Sequence, residues 1–170
     1  MINFIFYPNN IELPNHLNDL IKVFKDKEKQ IDSLSIQMHS NEVLHQLIEP
    51  LQSMGYLIES SKKKQDKIQV PVLFGLNNKV IKKFEADAFN QEYKTVIEVE
   101  SGRGVSNNQF LKDYFEACMM LNVEYCVIAV RNYYKSSNKK DFDYVKNFFD
   151  ALYASNKIKT DLKGVLIIGY

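Results

Sequence analysis

The stretch EADAFNQEYKTVIEVESGRG, from Glu85 to Gly104, holds two acidic pairs inside segments that otherwise have the composition of β-strands. Glu85 and Asp87 form the first pair, and Glu98 and Glu100 form the second. Because strand side chains alternate between faces, each pair is expected on one face of its strand. The short connection between the segments predicts a β-hairpin, in which the two acidic faces can adjoin. The stretch therefore predicts four carboxyl groups near one face of a sheet.

The apolar neighbours of the second pair indicate its orientation. Val96 shares a face with Glu98 and Glu100, whereas Ile97 and Val99 point to the opposite face. Partly buried carboxylates a few ångströms apart repel each other by on the order of several kcal/mol, unless some keep a proton or a cation lies among them. No lysine or histidine between the two pairs has a side chain that points to this face, so the sequence offers no internal cation there. This favours a divalent cation such as Mg²⁺. The alternative is that the acids are solvated, as on any half-exposed strand.

The rest of the chain predicts an α/β protein with a mixed β-sheet flanked by helices. At 170 residues it suits one domain, in which residues 1–39 form an N-terminal extension and residues 40–170 form the core. The predicted core order is helix, three strands, helix, strand, helix and strand. The segments that carry this order are SNEVLHQLIEPLQSMG, YLIES, KFEADAFN, KTVIEVES, SNNQFLKDYFEACMM, EYCVIAVRNY, DYVKNFFDALYA and GVLIIGY.

Composition and charge exclude several classes of protein. The formal net charge is +1, so no global basic field indicates a nucleic-acid partner. No apolar run approaches the roughly 18 residues of a membrane span, and the first residues lack the features of a signal peptide, so a cytoplasmic protein without a membrane partner is expected. Cys118 and Cys126 are expected to be buried free thiols. The three scattered histidines give no support to zinc hydrolysis or to a catalytic triad.

The spacing of the acids, together with the order of the elements, resembles the PD-(D/E)xK nuclease superfamily. The core of that superfamily has the order α-β-β-β-α-β, with an aspartate on the second strand and a (D/E)-x-K triplet on the third. Asp87 takes the aspartate position, and Glu98-Val99-Glu100 takes the triplet. Glutamate replaces the final lysine, which is similar to the BamHI-like type II restriction endonucleases with their Glu-x-Glu triplet. The resemblance covers residues 40–130, about half of the chain, and implies a restriction-endonuclease-like core.

The resemblance also implies roles for individual residues. Asp87 and Glu98 would ligate Mg²⁺, or Mn²⁺ as its substitute, with help from the main-chain carbonyl of Val99. Glu100 would stand where the lysine normally acts, either accepting a proton from the attacking water or holding a second ion. Glu42, in the first helix of the core, would be a further catalytic acid, although the helix dipole equally explains an acid in a first turn. Glu85 would be a supporting acid or a solvated one.

Two polar clusters follow the strands and are candidates for DNA contact. In the first, Arg103 lies between glycines and is followed by polar residues at the start of a helix, where free N–H groups suit a phosphate. Its further members are Ser106, Asn107, Asn108 and Gln109. The second cluster contains Arg131, Tyr133 and Lys135, a mixture of cations and aromatic rings that suits DNA. Ordinary capping of the helix explains the first cluster equally well, and a plain strand-to-loop exit explains the second.

These observations predict a Mg²⁺-dependent endodeoxyribonuclease, either a type II restriction endonuclease or a defence relative. The expected partners are double-stranded DNA, a second copy of the chain and a cognate DNA methyltransferase of a restriction-modification system. A homodimer is expected because one site of this kind cuts only one strand. A repair or junction nuclease with the same core is an alternative. Two further alternatives are a non-catalytic nucleic-acid-binding module that retains the fold and an α/β protein-interaction domain whose acids face solvent.

Overall fold

The computed structural model describes residues 1–59, 66–102, 104–135 and 138–170. Its strands are β1 (Asn3–Tyr7), β2 (Leu57–Ile58), β3 (Ile68–Phe74), β4 (Val80–Ala86), β5 (Ala88–Asn90), β6 (Thr95–Val99), β7 (Tyr125–Val130) and β8 (Gly164–Gly169). Its α-helices are α1 (Asn15–Asp26), α2 (Glu28–Ile31), α3 (Ser40–Ser53), α4 (Gln109–Met119) and α5 (Asp141–Ser155). A 3₁₀ turn, Leu76–Asn78, joins β3 to β4.

Six of the strands form a mixed sheet in the order β1-β8-β7-β6-β5-β2. β6, β7 and β8 are parallel, whereas β1, β5 and β2 each pair with their neighbours in the antiparallel direction. Helices pack on both faces of this sheet, as the two core clusters show. The prediction of an α/β protein with a mixed sheet flanked by helices is confirmed. No helix among the described residues is long and apolar enough to cross a membrane.

The two faces of β6 belong to two separate hydrophobic cores. Ile97 and Val99 pack with buried residues of α1 and α3, whereas Val96 packs with buried residues of α4 and α5. The predicted orientation of the strand is therefore confirmed, and Glu98 and Glu100 belong to the face that α4 covers. The predicted hairpin is also confirmed, since β5 pairs with β6 in the register that sets Ala88 opposite Ile97.

Residues 1–39 are integrated into the fold. β1 pairs with β8 along its whole length and forms one edge of the six-stranded sheet. The apolar stripe of α1 is buried, with Leu17, Leu20 and Phe24 completely inaccessible to solvent. The segment predicted as an N-terminal extension thus supplies an edge strand and part of one core.

One sequence expectation about the acidic stretch is wrong. KFEADAFN was predicted as one strand with Glu85 and Asp87 on the same face, but the structure interrupts it at Asp87. β4 pairs with β3 in a separate two-stranded sheet, and β5 joins the six-stranded sheet. Ala86 and Ala88 would share a face on a straight strand, yet they lie in opposite cores. The chain therefore turns over at Asp87, which separates this residue from Glu85.

Candidate active site

Asp87 lies at the joint between the two sheets. Its Oδ2 accepts a hydrogen bond from the main-chain N–H of Val99 over 2.8 Å, and its main-chain carbonyl accepts one from the N–H of Glu59 over 2.8 Å. The hairpin register, continued one residue past Ala88 and Ile97, sets Asp87 opposite Glu98. The fold thus brings the Asp87 carboxylate to the end of β6, where the predicted triplet lies.

Glu100 follows the last residue of β6 and is held by its backbone. Its N–H donates to the carbonyl of Ala129 over 2.8 Å, and its carbonyl accepts a hydrogen bond from the hydroxyl of Tyr170 over 2.9 Å. Gly104 permits the position of the side chain, because a Cβ there would lie 1.8 Å from Glu100 Oε2. These contacts keep the backbone of Glu100 extended beyond the end of β6, so that its side chain lies on the same face as that of Glu98.

Asp113, on α4, is a fourth acid at this place. Only 6% of the residue is exposed, and its Oδ1 accepts a hydrogen bond from Gln109 Nε2 over 3.0 Å. Sequence reasoning missed Asp113. The available signal was its position between Phe110 and Ala117 on the stripe that α4 buries, where an acid is unusual. Asp87, Glu98, Glu100 and Asp113 are called the acidic cluster below.

Burial raises the pKa of every member of the acidic cluster, and the charges of other members add to this for Asp87, Glu98 and Glu100. Burial, with the charges of Asp87 and Asp113, raises the pKa of Glu98 well above its ordinary value. Burial and the Asp113 carboxyl group raise the pKa of Glu100 to about 9. Burial raises the pKa of Asp87 to about 6, although the N–H of Val99 opposes this shift. Burial also raises the pKa of Asp113. In the absence of a cation, the cluster therefore retains protons at neutral pH.

Two lysines approach the acidic cluster, and each is paired with another acid. Lys67 Nζ lies 2.6 Å from Oε2 of the buried Glu59 and 3.9 Å from Oε2 of the exposed Glu85. Lys112 Nζ lies 3.3 Å from Glu116 Oε1. Their charges lower the pKa of Asp87 and of Glu100, respectively, without offsetting the effect of burial. Lysine neutralises this cluster only in part.

The donor atoms of the acidic cluster suit a hard divalent cation. Among the residues that the structure describes, no group of three or more His, Cys, Asp or Glu side chains is arranged to hold an ion. Mg²⁺ needs fewer protein ligands, because it commonly takes one or two carboxylates and completes its octahedron with water and substrate phosphate. Asp87, Glu98 and the carbonyl of Val99 are oxygen donors of this kind, and their excess of negative charge favours a cation.

The other predicted acids lie elsewhere. Glu42 is exposed, and its Oε2 accepts a hydrogen bond from the main-chain N–H of His39 over 2.6 Å. It caps the N-terminus of α3, as the helix-dipole explanation predicts. Glu85 is exposed beside Lys67, as described above. The structure does not bring either carboxylate into the acidic cluster.

The first predicted DNA cluster lies at the start of α4. Asn107 is exposed. Asn108 directly precedes α4 with a φ of 57°, and its Oδ1 accepts a hydrogen bond from the hydroxyl of Tyr144. The side chain of Gln109 donates a hydrogen bond to Asp113. Ser106 lines a cavity of about 370 Å³ between the first turns of α4 and α5, whose other lining residues are Val105, Lys139, Lys140, Asp141 and Tyr144. Arg103 lies outside the described residues. Sequence reasoning did not assign Lys139 or Lys140 to this cluster.

The second predicted DNA cluster is divided between the interior and the surface. Arg131 is only 4% exposed, its Nη2 donates a hydrogen bond to the carbonyl of Met38, and its guanidinium lies 5.0 Å from the centre of the Tyr134 ring. Tyr133 is half-buried and its hydroxyl donates to Asn138, whereas Lys135 is exposed. The predicted DNA contact of Arg131 is wrong, because its side chain is buried and bonded inside the protein.

A second cavity, of about 830 Å³, contains none of the acidic cluster. It lies beside the C-terminal part of α5 and is lined by Tyr7, Tyr153 and Lys163 among others. The acidic cluster, whose members all have raised pKa values, is therefore the better candidate for chemistry.

Neither a scan against protein-family models nor a search of curated proteins found a match to the chain.

Proposed function

We propose that the protein is a Mg²⁺-dependent endodeoxyribonuclease with a restriction-endonuclease-like core, either a restriction endonuclease or a defence relative. The acidic cluster is the observation that carries this proposal. A site that gathers four carboxyl groups, each with a raised pKa, is costly unless a cation is bound there in the working protein.

The order of the elements supports the restriction-endonuclease-like core. If the separate β3–β4 sheet is treated as an insertion, then α3, β2, β5, β6, α4 and β7 follow one another as helix, three strands, helix and strand. Asp87 directly precedes the second of these strands, Glu98 and Val99 end the third, and Glu100 directly follows it. Both positions agree with those that the resemblance implies.

The residues of the acidic cluster would divide the work of phosphodiester hydrolysis. Asp87, Glu98 and the carbonyl of Val99 would hold Mg²⁺, which lowers the pKa of a bound water and stabilises charge on the phosphate. Glu100 holds a proton while the site has no cation. A neighbouring positive charge favours the carboxylate form of Glu100, in which it can accept a proton from the attacking water.

Double-stranded DNA would lie across the starts of α4 and α5. Asn107, Ser106, Lys139 and Lys140 border this surface, and the two lysines supply the positive charge that phosphate contacts require. Tyr133 and Lys135 extend the surface beyond β7. Because one site of this kind cuts one strand, a homodimer would cut both, and a cognate DNA methyltransferase would protect the host DNA.

A non-catalytic nucleic-acid-binding module is the second candidate. Two observations favour it: glutamate replaces the lysine of the triplet, and the described residues contain no preformed set of three ligands. Such a module would use the same surface for DNA and would leave the phosphodiester bond intact.

Plasmid cleavage with Mg²⁺ and with Mn²⁺ tests the proposal. Wild-type protein is expected to cut in the presence of either ion and to be inactive in EDTA. Asp87→Asn is expected to lose on the order of 100-fold or more of this activity, as is common for a group that acts on the transition state. Glu42→Gln, which alters an acid outside the acidic cluster, is the matched control and should stay active. Metal-dependent cutting that survives in Asp87→Asn would refute the site, and DNA binding without cutting would establish the second candidate.

A further inference from the structure

The end of the β3–β4 sheet exposes apolar side chains that belong neither to the acidic cluster nor to the DNA surface proposed above. Leu76, in the turn, is 87% exposed, and Ile81 is 64% exposed. Single exposed apolar residues are ordinary, but several at the end of one element mark a site of interaction. The apolar tip is defined by four exposed residues: Leu73, Leu76, Val80 and Ile81.

The turn that carries the apolar tip is held by its own backbone. The N–H of Gly75 donates a hydrogen bond to the carbonyl of Lys79 over 2.8 Å. Asn77 and Asn78 both have left-handed φ angles, which asparagine tolerates better than most residues. Ile81 folds over the turn, since a Cβ atom at Gly75 would collide with its side chain. The apolar tip is therefore preformed, and a partner does not have to order it on binding.

The base of the β3–β4 sheet is fixed to the rest of the protein. Val70 and Ala86 are buried in the core that α4 covers, and the N–H of Leu121 donates to the carbonyl of Pro71 over 2.9 Å. The 7 residues of β4 extend the chain by about 23 Å from this base towards the turn. At about 3.4 Å for each base pair, the apolar tip can reach DNA within roughly seven base pairs of Asp87.

The charge around the apolar tip indicates the kind of partner. Residues 68–84 contain three lysines and no acidic residue. The three lysines, Lys79, Lys82 and Lys83, are all exposed. The same tip of a second copy would set these charges against each other, whereas a polyanion complements them.

The shape and composition of the tip favour DNA over an anionic membrane. Paired strands lie about 4.8 Å apart, which is comparable to the minor groove of DNA, about 6 Å wide. Segments that bind the membrane interface are enriched in tryptophan and tyrosine, and residues 68–84 contain neither. Asn77 and Asn78 are exposed on the turn, and asparagine is among the residues that contact base edges in the minor groove.

We propose that the apolar tip enters the minor groove of double-stranded DNA, where Leu76 acts as a wedge between two base pairs. Lys79, Lys82 and Lys83 contact the phosphates on either side. This inference rests on the proposed function for the identity of the partner, and it adds a contact that lies away from the starts of α4 and α5. A wedge of this kind unstacks one base step, and it kinks and untwists the duplex there.

Unwinding of a relaxed plasmid tests the wedge without cleavage. The protein is bound in EDTA, in which no cutting is expected, and a type I topoisomerase that needs no metal ion relaxes the complex. Supercoils that remain after removal of the protein measure the unwinding, and the wild type should leave them in proportion to the amount bound. Leu76→Ala should leave fewer than about half as many at equal occupancy and should bind about tenfold more weakly, because less apolar surface is buried on binding.

Two further variants separate the wedge from the charge. Leu34→Ala shortens another leucine that is 59% exposed, and as the matched control it should unwind DNA as the wild type does. Lys79→Gln should keep the unwinding at equal occupancy and lower the slope of log affinity against log salt concentration by about 0.9. Leu76→Ala should leave that slope unchanged. Because all three side chains are exposed, the variants should fold as the wild type does.

The outcomes distinguish this inference from the proposed function. Equal unwinding by Leu76→Ala and the wild type at equal occupancy would overturn the wedge and leave the nuclease standing. Unwinding that depends on Leu76, in a protein that does not cut with Mg²⁺ or Mn²⁺, would support the wedge and overturn the nuclease. A wild type that binds no DNA would overturn both. Dimerisation, or binding to phosphatidylserine vesicles, that Leu76→Ala loses while its unwinding persists would assign the apolar tip to that partner and overturn the wedge.

Discussion

At the scale of single residues, Glu100 links the acidic cluster to the stability of the protein. Its ordinary pKa is 4.5, and burial together with Asp113 raises this to about 9 in the folded state. Between these two values the folded protein holds a proton that the unfolded chain has released. The free energy of unfolding therefore falls as pH rises through this window. Asp87 contributes with the same sign between 3.8 and about 6.

We predict that Glu100→Gln flattens the pH dependence of stability. Without divalent cations, the free energy of unfolding of the wild type should decrease from pH 5 to pH 9, because more of its Glu100 must carry a buried charge. The variant cannot acquire that charge, so its decrease should be smaller. Urea unfolding followed by circular dichroism at several pH values measures both curves. Asp143→Asn should follow the wild type, and parallel curves for wild type and Glu100→Gln would contradict the prediction.

The alternation of residues along β6 was enough to predict three members of the acidic cluster. It sets Glu98 and Glu100 on one face, and the hairpin brings Asp87 beside them. It could not predict Asp113, because an acid on a helix is ordinarily assigned to the solvent face, and only the packing of α4 shows that this one is buried. The burial of Glu59 could not be predicted either, because it follows β2, an edge strand of two residues that is too short to show a periodic pattern.

At the scale of elements, Arg131 joins three segments at the end of β7. Its guanidinium donates to the carbonyl of Met38, just before α3, and its own carbonyl accepts a hydrogen bond from the N–H of Phe142 in α5 over 3.0 Å. Burial raises the pKa of Asp141 to about 6, and the positive charge of Arg131 partly opposes this rise. Sequence reasoning took Arg131 for a DNA contact because it lies among cations and aromatic rings, a mixture that suits DNA.

We predict that Arg131→Met destabilises the protein by about 3 kcal/mol, because it removes a buried charge that has both a hydrogen-bond acceptor and an acidic neighbour. Arg131→Lys should restore little of this, since an ammonium group cannot reproduce the planar contact with Tyr134. Lys135→Met, on the same loop but exposed, should change stability by less than about 0.5 kcal/mol and weaken DNA binding. Urea unfolding and DNA titration measure the two effects. Full stability of Arg131→Met would contradict the interior role.

The order of the elements could be predicted, but the break at Asp87 could not. KFEADAFN alternates as one strand would, and nothing in that local pattern marks a turn. The reason lies in contacts distant in sequence, because β3 pairs with Val80–Ala86 while β6 pairs with Ala88–Asn90. Residues 1–39 were separated from the core for the same reason, since the pairing of β1 with β8 spans nearly the whole chain.

At the scale of the whole molecule, the proposed cation site would couple folding to cation binding. A cation that binds only the folded state stabilises it by mass action, by about 2.7 kcal/mol at 100 times its dissociation constant. Protons and cations compete for the same oxygens, so this stabilisation should depend on pH.

We predict that MgCl₂ raises the melting temperature by several degrees at pH 8 and by much less at pH 5.5. For a protein of this size, about 1 kcal/mol corresponds to roughly 2–4 °C. Thermal unfolding followed by circular dichroism, with NaCl at equal ionic strength as the control, measures the shift. Asp87→Asn should lose most of it. An equal shift in NaCl, or one that does not change with pH, would show that general screening is responsible.

The two-stranded β3–β4 sheet is connected to the six-stranded sheet through Asp87, which directly follows β4. Its tip leaves Leu73, Leu76 and Ile81 exposed, while its base runs directly into the residue that β6 holds through Val99. Because Asp87 directly follows β4, a displacement of this sheet would move a carboxylate of the acidic cluster.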